Sequence, residues 1–325
     1  MKAIICNHYA PIQELVYQDI PDLIPAANEV VVAVKAAGVN FPDALIVQGL
    51  YQDKPALPFT PGLEFAGEIL SCGKDVTRLT AGTRVLGFSA GYGAYAEQVK
   101  CHAASVVPIP DDMPFVDAAN LVCAHGTAQH ALRQRANIQT GETLVVLGAA
   151  GGTGIAAVQI GKAIGARVIA VCSSAEKLEI AKANGADELI NYSEQDLKTE
   201  LKRITQGKGV DVVFDPVGGD AFNICSRCMA RNGRLLVIGF ASGEIPKLPV
   251  NLTLVKEYSL IGVFWGSFTQ HEPQVFADNL KELFQWYHNG QIKVITDAEL
   301  PLAKAVDALQ MMVERKVKGK VVLLP

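Results

Sequence analysis

From Thr143 to Gly161 the chain carries no charged residue, a run about as long as a bilayer span. Five glycines, Gly148, Gly151, Gly152, Gly154 and Gly161, interrupt it, and no aromatic belt flanks it. A strand, a tight turn and a helix therefore explain it better than lipid. The strand is Leu144-Val145-Val146-Leu147 and the helix runs from Ile155 to Ile164. Glycines between the two let the backbone turn sharply and approach a pyrophosphate, whose charge would meet unpaired N–H groups and the positive end of the helix dipole. An ordinary tight turn is the plainer reading of such a triplet. A P-loop is excluded, because no Gly-Lys-Ser/Thr is present and the next lysine, Lys162, comes too late.

The surroundings favour the nucleotide reading. After about His125, strands alternate with helices: strands at 168–171, 188–190, 210–214, 234–238 and 259–263, with helices near 175–184, 196–205 and 221–230. This is the pattern of βαβ units around a parallel sheet, and the strand count is that of a complete Rossmann sheet. Two of the helices end alike, in Ile164-Gly165-Ala166 and Asn184-Gly185-Ala186, each with a glycine placed for the left-handed cap conformation.

Before this region the rhythm differs. Short apolar runs at 29–34, 64–70 and 84–88 are broken by Gly, Pro and Asn, as in an antiparallel β domain. The part from about Gln270 offers a helix over 275–286, another over 302–314 and a last strand, Val321 to Leu324. These do not continue the βαβ series, so they are expected to return to the first domain. The expected division is residues 1–123 with 268–325 as the catalytic domain and 124–267 as the nucleotide domain.

Half of the 325 residues are hydrophobic, and 29 Lys and Arg stand against 33 Asp and Glu, a formal charge of -4. That balance disfavours a nucleic-acid partner, which needs a basic surplus. Seven scattered cysteines and no leader pattern fit a reducing cytoplasm.

Which dinucleotide is preferred depends on the end of the second strand, about 20 residues on, where an NAD enzyme places Asp or Glu on the ribose. Here the run is Val171-Cys172-Ser173-Ser174-Ala175-Glu176-Lys177. Two hydroxyls replace the acid, and Lys177 follows one helical turn later. Hydroxyls and an ammonium suit a 2′-phosphate, so NADPH is expected as cofactor. The serines could equally cap the helix, and a capped N-terminus is still an anion site.

Together these residues resemble the medium-chain dehydrogenase/reductase superfamily, and within it the zinc-free quinone oxidoreductase (zeta-crystallin-like) branch. The marks span the chain: Ala37-Gly38-Val39-Asn40-Phe41-Pro42-Asp43, Pro61 to Gly67, Gly82-Thr83-Arg84-Val85, the loop Ala149 to Gly154, Ile190-Asn191-Tyr192, Phe214 to Gly218, and Gly319-Lys320-Val321-Val322-Leu323. The resemblance implies an α/β fold in which a doubly wound Rossmann sheet is inserted in a GroES-like antiparallel β catalytic domain. It also implies cofactor contacts from Thr127, Gly151, Gly152, Thr153, Ser173, Lys177, Tyr192, Phe240, Phe264, Trp265 and Arg315, and a homodimer paired through the edge around Ser259–Val263. Phe264 and Trp265 have packing at a subunit interface as their alternative.

No metal is expected. Where zinc alcohol dehydrogenases of the superfamily place a ligand Cys and Gly-His-Glu, this chain has Asn40 and Gly62-Leu63-Glu64, and Leu63 cannot ligate. Cys225 and Cys228 lie in an expected helix with no second pair nearby, so core packing is the better reading. Without a Lewis acid, acceptors that delocalise arriving charge are the better served, namely quinones and conjugated enones or enoyl thioesters. By the resemblance, Asn40, Asp43 and Tyr51 face the nicotinamide, and Asn40 and Tyr51 can donate to a developing oxyanion. Each has a plainer role: Asn40 holding the turn, Asp43 capping a helix, Tyr51 lying on the rim. The reading is an NADPH-dependent quinone oxidoreductase, with an enoyl or alkenal reductase as alternative. The non-enzyme alternative is a cofactor-binding, crystallin-like or RNA-associating protein.

Overall fold

The apolar run that opens at Glu29 extends further than its first six residues suggest. In the computed structural model, which describes Met1–Pro325, it forms an 11-residue strand, Glu29–Val39, buried along nearly its whole length. Val and Ala fill both faces of such a strand because neighbours cover both. In chain order, β1 (Lys2–Ile5), β2 (Val16–Asp19) and β3 (Glu29–Val39) lead to α1 (Phe41–Val47). Then come β4 (Glu64–Cys72), β5 (Arg84–Phe88), β6 (Gln98–His102), β7 (Val106–Pro108) and α2 (Phe115–Gln129).

The next set is β8 (Thr143–Leu147), α3 (Gly152–Ile164), β9 (Arg167–Cys172), α4 (Ala175–Ala183), β10 (Glu188–Asn191), α5 (Leu197–Ile204) and β11 (Val210–Asp215). It continues through α6 (Gly219–Ser226), β12 (Met229–Val237), α7 (Asn251–Lys256), β13 (Ser259–Gly262), α8 (Trp265–His271) and α9 (Pro273–His288). The chain closes with β14 (Thr296–Pro301), α10 (Ala305–Val313) and β15 (Lys320–Leu324).

Two compact units result: Met1–Cys123 with Val294–Pro325, and Ala124–Lys293. The second boundary therefore falls at 294, not at the expected 268. The physical reason is aromatic and polar packing that holds α8 and α9 within the second unit. His130 stacks on Phe268 at 3.8 Å between ring centroids, and Trp265 meets Phe276 edge-on at 5.8 Å. Arg133 pairs with Glu282 at 2.5 Å, and the Gln134 and Asn279 amides donate to each other.

In the second unit all sheet pairings are parallel, in the order β10-β9-β8-β11-β12-β13. Strand order reverses at β8, so the crevice beyond the carboxyl ends of β8 and β11 is the topological switch point where such sheets bind ligands. Gly165 takes φ 94° at the end of α3 and Gly185 takes 108° after α4, the left-handed geometry expected of both. One helix overran in the sequence reading: α6 stops at Ser226, and Met229 already pairs with Val210 as β12 begins.

In the first unit, β3 pairs antiparallel with β4, β6 and β15, and β14 joins the edge parallel to β15. The expected runs at 64–70 and 84–88 are β4 and β5. Val321 and Leu323 of β15 lie in the same core as Val30, Val32 and Phe65. At the head of β15 the Lys320 ammonium is buried. It donates to Glu64 Oε1 at 2.6 Å, to Asn40 Oδ1 at 2.6 Å and to the Val39 carbonyl at 3.2 Å. The Lys320 and Glu64 side chains are 6% and 0% exposed.

Removing one partner of a buried ion pair leaves the other uncompensated, so Lys320→Met should lower stability by about 3–5 kcal/mol, read from urea unfolding midpoints. A loss below about 1 kcal/mol, the worth of an exposed pair, would show that Glu64 does not depend on the lysine.

Candidate active site

The glycine loop after β8 divides its labour. Gly148 has φ 61°, and a Cβ on Gly154 would stand 2.2 Å from the Gly148 carbonyl oxygen, so Gly154 is needed for the loop to close on itself. A Cβ on Gly151 would meet only that same oxygen, at an ordinary 3.5 Å. Gly151 is also the N-cap of α3 and offers no side-chain cap to its first-turn N–H groups. An open backbone and uncapped donors at the head of a 13-residue helix fit a pyrophosphate.

The turn after β9 follows the same logic. Ser174 takes the capping role, its hydroxyl accepting from the Lys177 backbone N–H at 3.4 Å. Ser173 is thereby left outside the cap, and its carbonyl accepts from the Ser193 hydroxyl at 3.0 Å. Lys177 is half-buried, Tyr192 beyond β10 is exposed, and no Asp or Glu stands at the strand end.

Gly151, Gly152, Thr153, Ser173, Tyr192, Phe240 and Phe264 all fall just past carboxyl ends of strands of one parallel sheet. Thr127 is half-buried on α2. Phe264 is 60% exposed, whereas Trp265 is 6% exposed, with Gly126 and Phe276 against its indole. Trp265 is thus a packing residue of its own unit. Arg315 lies in the first unit, exposed, at φ 55°.

The first unit gathers the other candidates around the buried ion pair. The Asn40 amide nitrogen donates to Glu64 Oε1 at 2.8 Å while its oxygen accepts from Lys320. Both ends of the amide are therefore fixed, and one of its two N–H groups is committed. Glu64 Oε2 also accepts from the Cys123 backbone N–H at 2.7 Å. Asp43, at the third position of α1, accepts from the Asn40 backbone N–H at 2.8 Å and from the Tyr95 hydroxyl at 2.7 Å, both at Oδ2. It thus does cap the helix, while its buried Oδ1 has no partner.

Burial pushes the Asp43 carboxyl up to about 7, against the hydrogen bonds from Tyr95 and Asn40. Burial also raises the half-buried Tyr51 hydroxyl, with charge at Cys123, Asp43 and Asp53 acting in the same direction. The Cys123 thiol is held well above the ordinary range by burial and then by Glu64, so it is a poor nucleophile. No group of three or more His, Cys, Asp or Glu side chains is placed to hold a metal ion.

Comparison with known proteins bears on both units. Residues 26–111 match the family described as "Alcohol dehydrogenase GroES-like domain", and residues 152–283 match "Zinc-binding dehydrogenase". The chain is 39% identical to "Quinone oxidoreductase-like protein 2 homolog" of Nematostella vectensis, across 99% of this chain and 88% of that one.

The chain belongs to the quinone oxidoreductase branch of the medium-chain dehydrogenase/reductase superfamily.

Within the wider superfamily the solved structures agree. The Escherichia coli quinone oxidoreductase complexed with NADPH superposes with a TM-score of 0.94 at 31% identity, covering 100% of both chains. The CurK enoyl reductase does so at 0.90 and 29% identity, covering 99% of this chain and 98% of that one.

For this branch member, sequence reasoning missed Tyr95 and the pairing role of Lys320. Lys320 stood within the closing Gly-Lys-Val-Val-Leu run, but nothing local linked it to Glu64. Asp43 carries a consequence for pH. Its folded-state ionisation lies above the ordinary 3.8, so the folded chain binds more proton than the unfolded one, and stability is lost as pH rises between roughly 4 and 7. Asp43→Asn keeps an acceptor for Tyr95 and removes the titration. Urea midpoints near pH 5 and near pH 8 should differ less in the variant than in the parent; equal differences would show that Asp43 ionises as an exposed carboxyl does.

Proposed function

We propose that this chain is an NADPH-dependent oxidoreductase that reduces quinones by two electrons. The observation that carries the cofactor choice is the acid-free turn after β9, where Ser173 and Lys177 stand at the strand end and Ser174 alone takes the cap. When bound, NADPH supplies the hydride. Gly151, Gly152 and Thr153 at the head of α3 would hold its pyrophosphate, and Ser173, Lys177 and Tyr192 its 2′-phosphate. Thr127, Phe240, Phe264 and Arg315 are the further contacts that the family likeness supports.

On the acceptor side, Tyr51 and the uncommitted N–H of Asn40 would donate to the oxygen that becomes anionic, and a proton completes the hydroquinone. Lys320 and Glu64 keep the Asn40 amide from turning over. The Asn40 oxygen and Glu64 Oε1 are taken by the lysine and Glu64 Oε2 by the Cys123 N–H rather than arranged as metal ligands, which supports acceptors that spread charge over a conjugated system. A second reading, reduction of a conjugated enoyl thioester, is supported by the likeness to the CurK enoyl reductase.

We also propose a homodimer paired through β13. That strand ends the sheet order, and Leu260, Leu254 and Val255 around it are 44%, 78% and 75% exposed, an apolar open edge. A monomer in sedimentation equilibrium would remove this part.

The cofactor and acceptor are tested together. Lys177→Ala should raise KM for NADPH about tenfold, the scale of one lost charge-assisted hydrogen bond, and leave KM for NADH nearly unchanged. Equal losses would contradict the phosphate assignment. With the parent protein, NADPH oxidation should be fast with 1,4-benzoquinone or 9,10-phenanthrenequinone; turnover of crotonyl-CoA alone would transfer the site to the second reading.

A further inference from the structure

The segment that carries Tyr51 has almost no backbone support. Leu50 N–H donates to the Leu45 carbonyl, and Phe59 exchanges both backbone hydrogen bonds with Cys6, but residues 51–58 make no backbone–backbone hydrogen bond. Side chains hold it instead. Tyr9 and Tyr92 each donate a hydroxyl to it, Tyr9 to the Pro55 carbonyl at 2.5 Å and Tyr92 to Asp53 Oδ2 at 2.6 Å. Between them lies Phe59, its ring 6.4 Å from Tyr9 and 5.6 Å from Tyr92.

Tyr92 is held in an uncommon state to do this. Its φ is 64°, a left-handed conformation that a bulky residue seldom adopts and that persists only where the surroundings impose it. The turn after β5 imposes it here: Tyr92 N–H donates to the Ser89 carbonyl at 3.0 Å, and the Ser89 hydroxyl donates to the Tyr92 carbonyl at 2.7 Å. Gly93 N–H then donates to the Thr60 carbonyl, so the turn is anchored at the far end of the same segment. The Tyr92 side chain is 7% exposed, and its acceptor is a carboxylate, the stronger kind of hydrogen bond.

We propose that Tyr92 is a positioning residue, whose hydroxyl clasps Asp53 and so fixes residues 51–58 and the direction of the Tyr51 side chain. This rests on the reading that Tyr51 meets the acceptor. The charges on Asp53 and Asp43 and the Tyr51 hydroxyl all bear on Tyr92, which agrees with the four groups sharing one locality. Without the clasp, Tyr51 samples several directions and donates to the acceptor in only a fraction of encounters.

The experiment has two independent arms on the full chain. In the kinetic arm, Tyr92→Phe and Asp53→Asn should each lower kcat/KM for 9,10-phenanthrenequinone about tenfold, with KM for NADPH unchanged. In a Tyr51→Phe background, either should cost less than about twofold more. In the spectroscopic arm, the protein is labelled with 3-fluorotyrosine, and the Tyr51 fluorine resonance is assigned by its loss in Tyr51→Phe. That resonance should shift or broaden in Tyr92→Phe and in Asp53→Asn. An unmoved Tyr51 resonance, or kinetic losses that multiply in full with Tyr51→Phe, would overturn the proposal. If Tyr51→Phe alone leaves turnover unchanged, the role of Tyr51 in the reaction fails, while the fluorine arm still decides the clasp.

Discussion

The first unit is organised by one buried ion pair. Glu64 on β4 has no exposed surface, and a carboxylate there is tolerable only because an ammonium, an amide and a backbone N–H all point at it. Lys320 comes from the head of β15 and the amide from Asn40 at the end of β3. Three strands distant in sequence are thus tied at one point. Apolar packing of Val30, Val32, Phe65 and Val321 could be met by neighbouring registers with modest loss. The pair cannot, because a slip of one residue would turn either charge into the core without its partner.

The same pair shapes the chemistry beside it. Its charges cancel locally, so on the proposed reading what would remain for a substrate is dipoles: one amide N–H of Asn40 and the phenol of Tyr51. Asp43 adds little charge below neutral pH, since burial raises its ionisation to about 7. Such a site stabilises a delocalised anion better than a concentrated one, in keeping with preorganised donors rather than a strong local charge.

Much of this was legible in the sequence. Strand and helix runs of the second unit could be read because each is encoded by residues close together: apolar β runs, glycine caps and a glycine loop whose positions follow from local geometry. Gly165, Gly185 and Gly148 all take the positive φ that their places demand. The errors fall where contacts between residues distant in sequence decide. Residues 227–230 read as helix because Cys228 and Met229 suit either state, and pairing of Met229 with Val210 decided for strand. The boundary near 268 moved because stacking of Phe268 on His130 joins residues far apart in the chain. Lys320 and Glu64 are 256 positions apart, and a contact across that separation leaves no periodic trace. Tyr92 was invisible for another reason: its neighbours on either side are glycines, and such a run carries no apolar period that would mark a tyrosine held in place.

That the sheet of the first unit needs β14 and β15 has a consequence for biosynthesis. When residues 1–123 leave the ribosome, β3 lacks the partner of its last three residues and Glu64 lacks its counter-ion, and both must wait until β15 emerges. The intervening residues, 124–293, meanwhile contain every strand of their own parallel sheet and can fold as a unit first. The waiting edge of β3 is short, Ala37 to Val39, since β6 already covers Glu29 to Ala33, but it is apolar and unpaired until β15 arrives. A premature stop between residues 293 and 320 would therefore yield a nearly complete polypeptide whose nucleotide half is formed and whose other half cannot close.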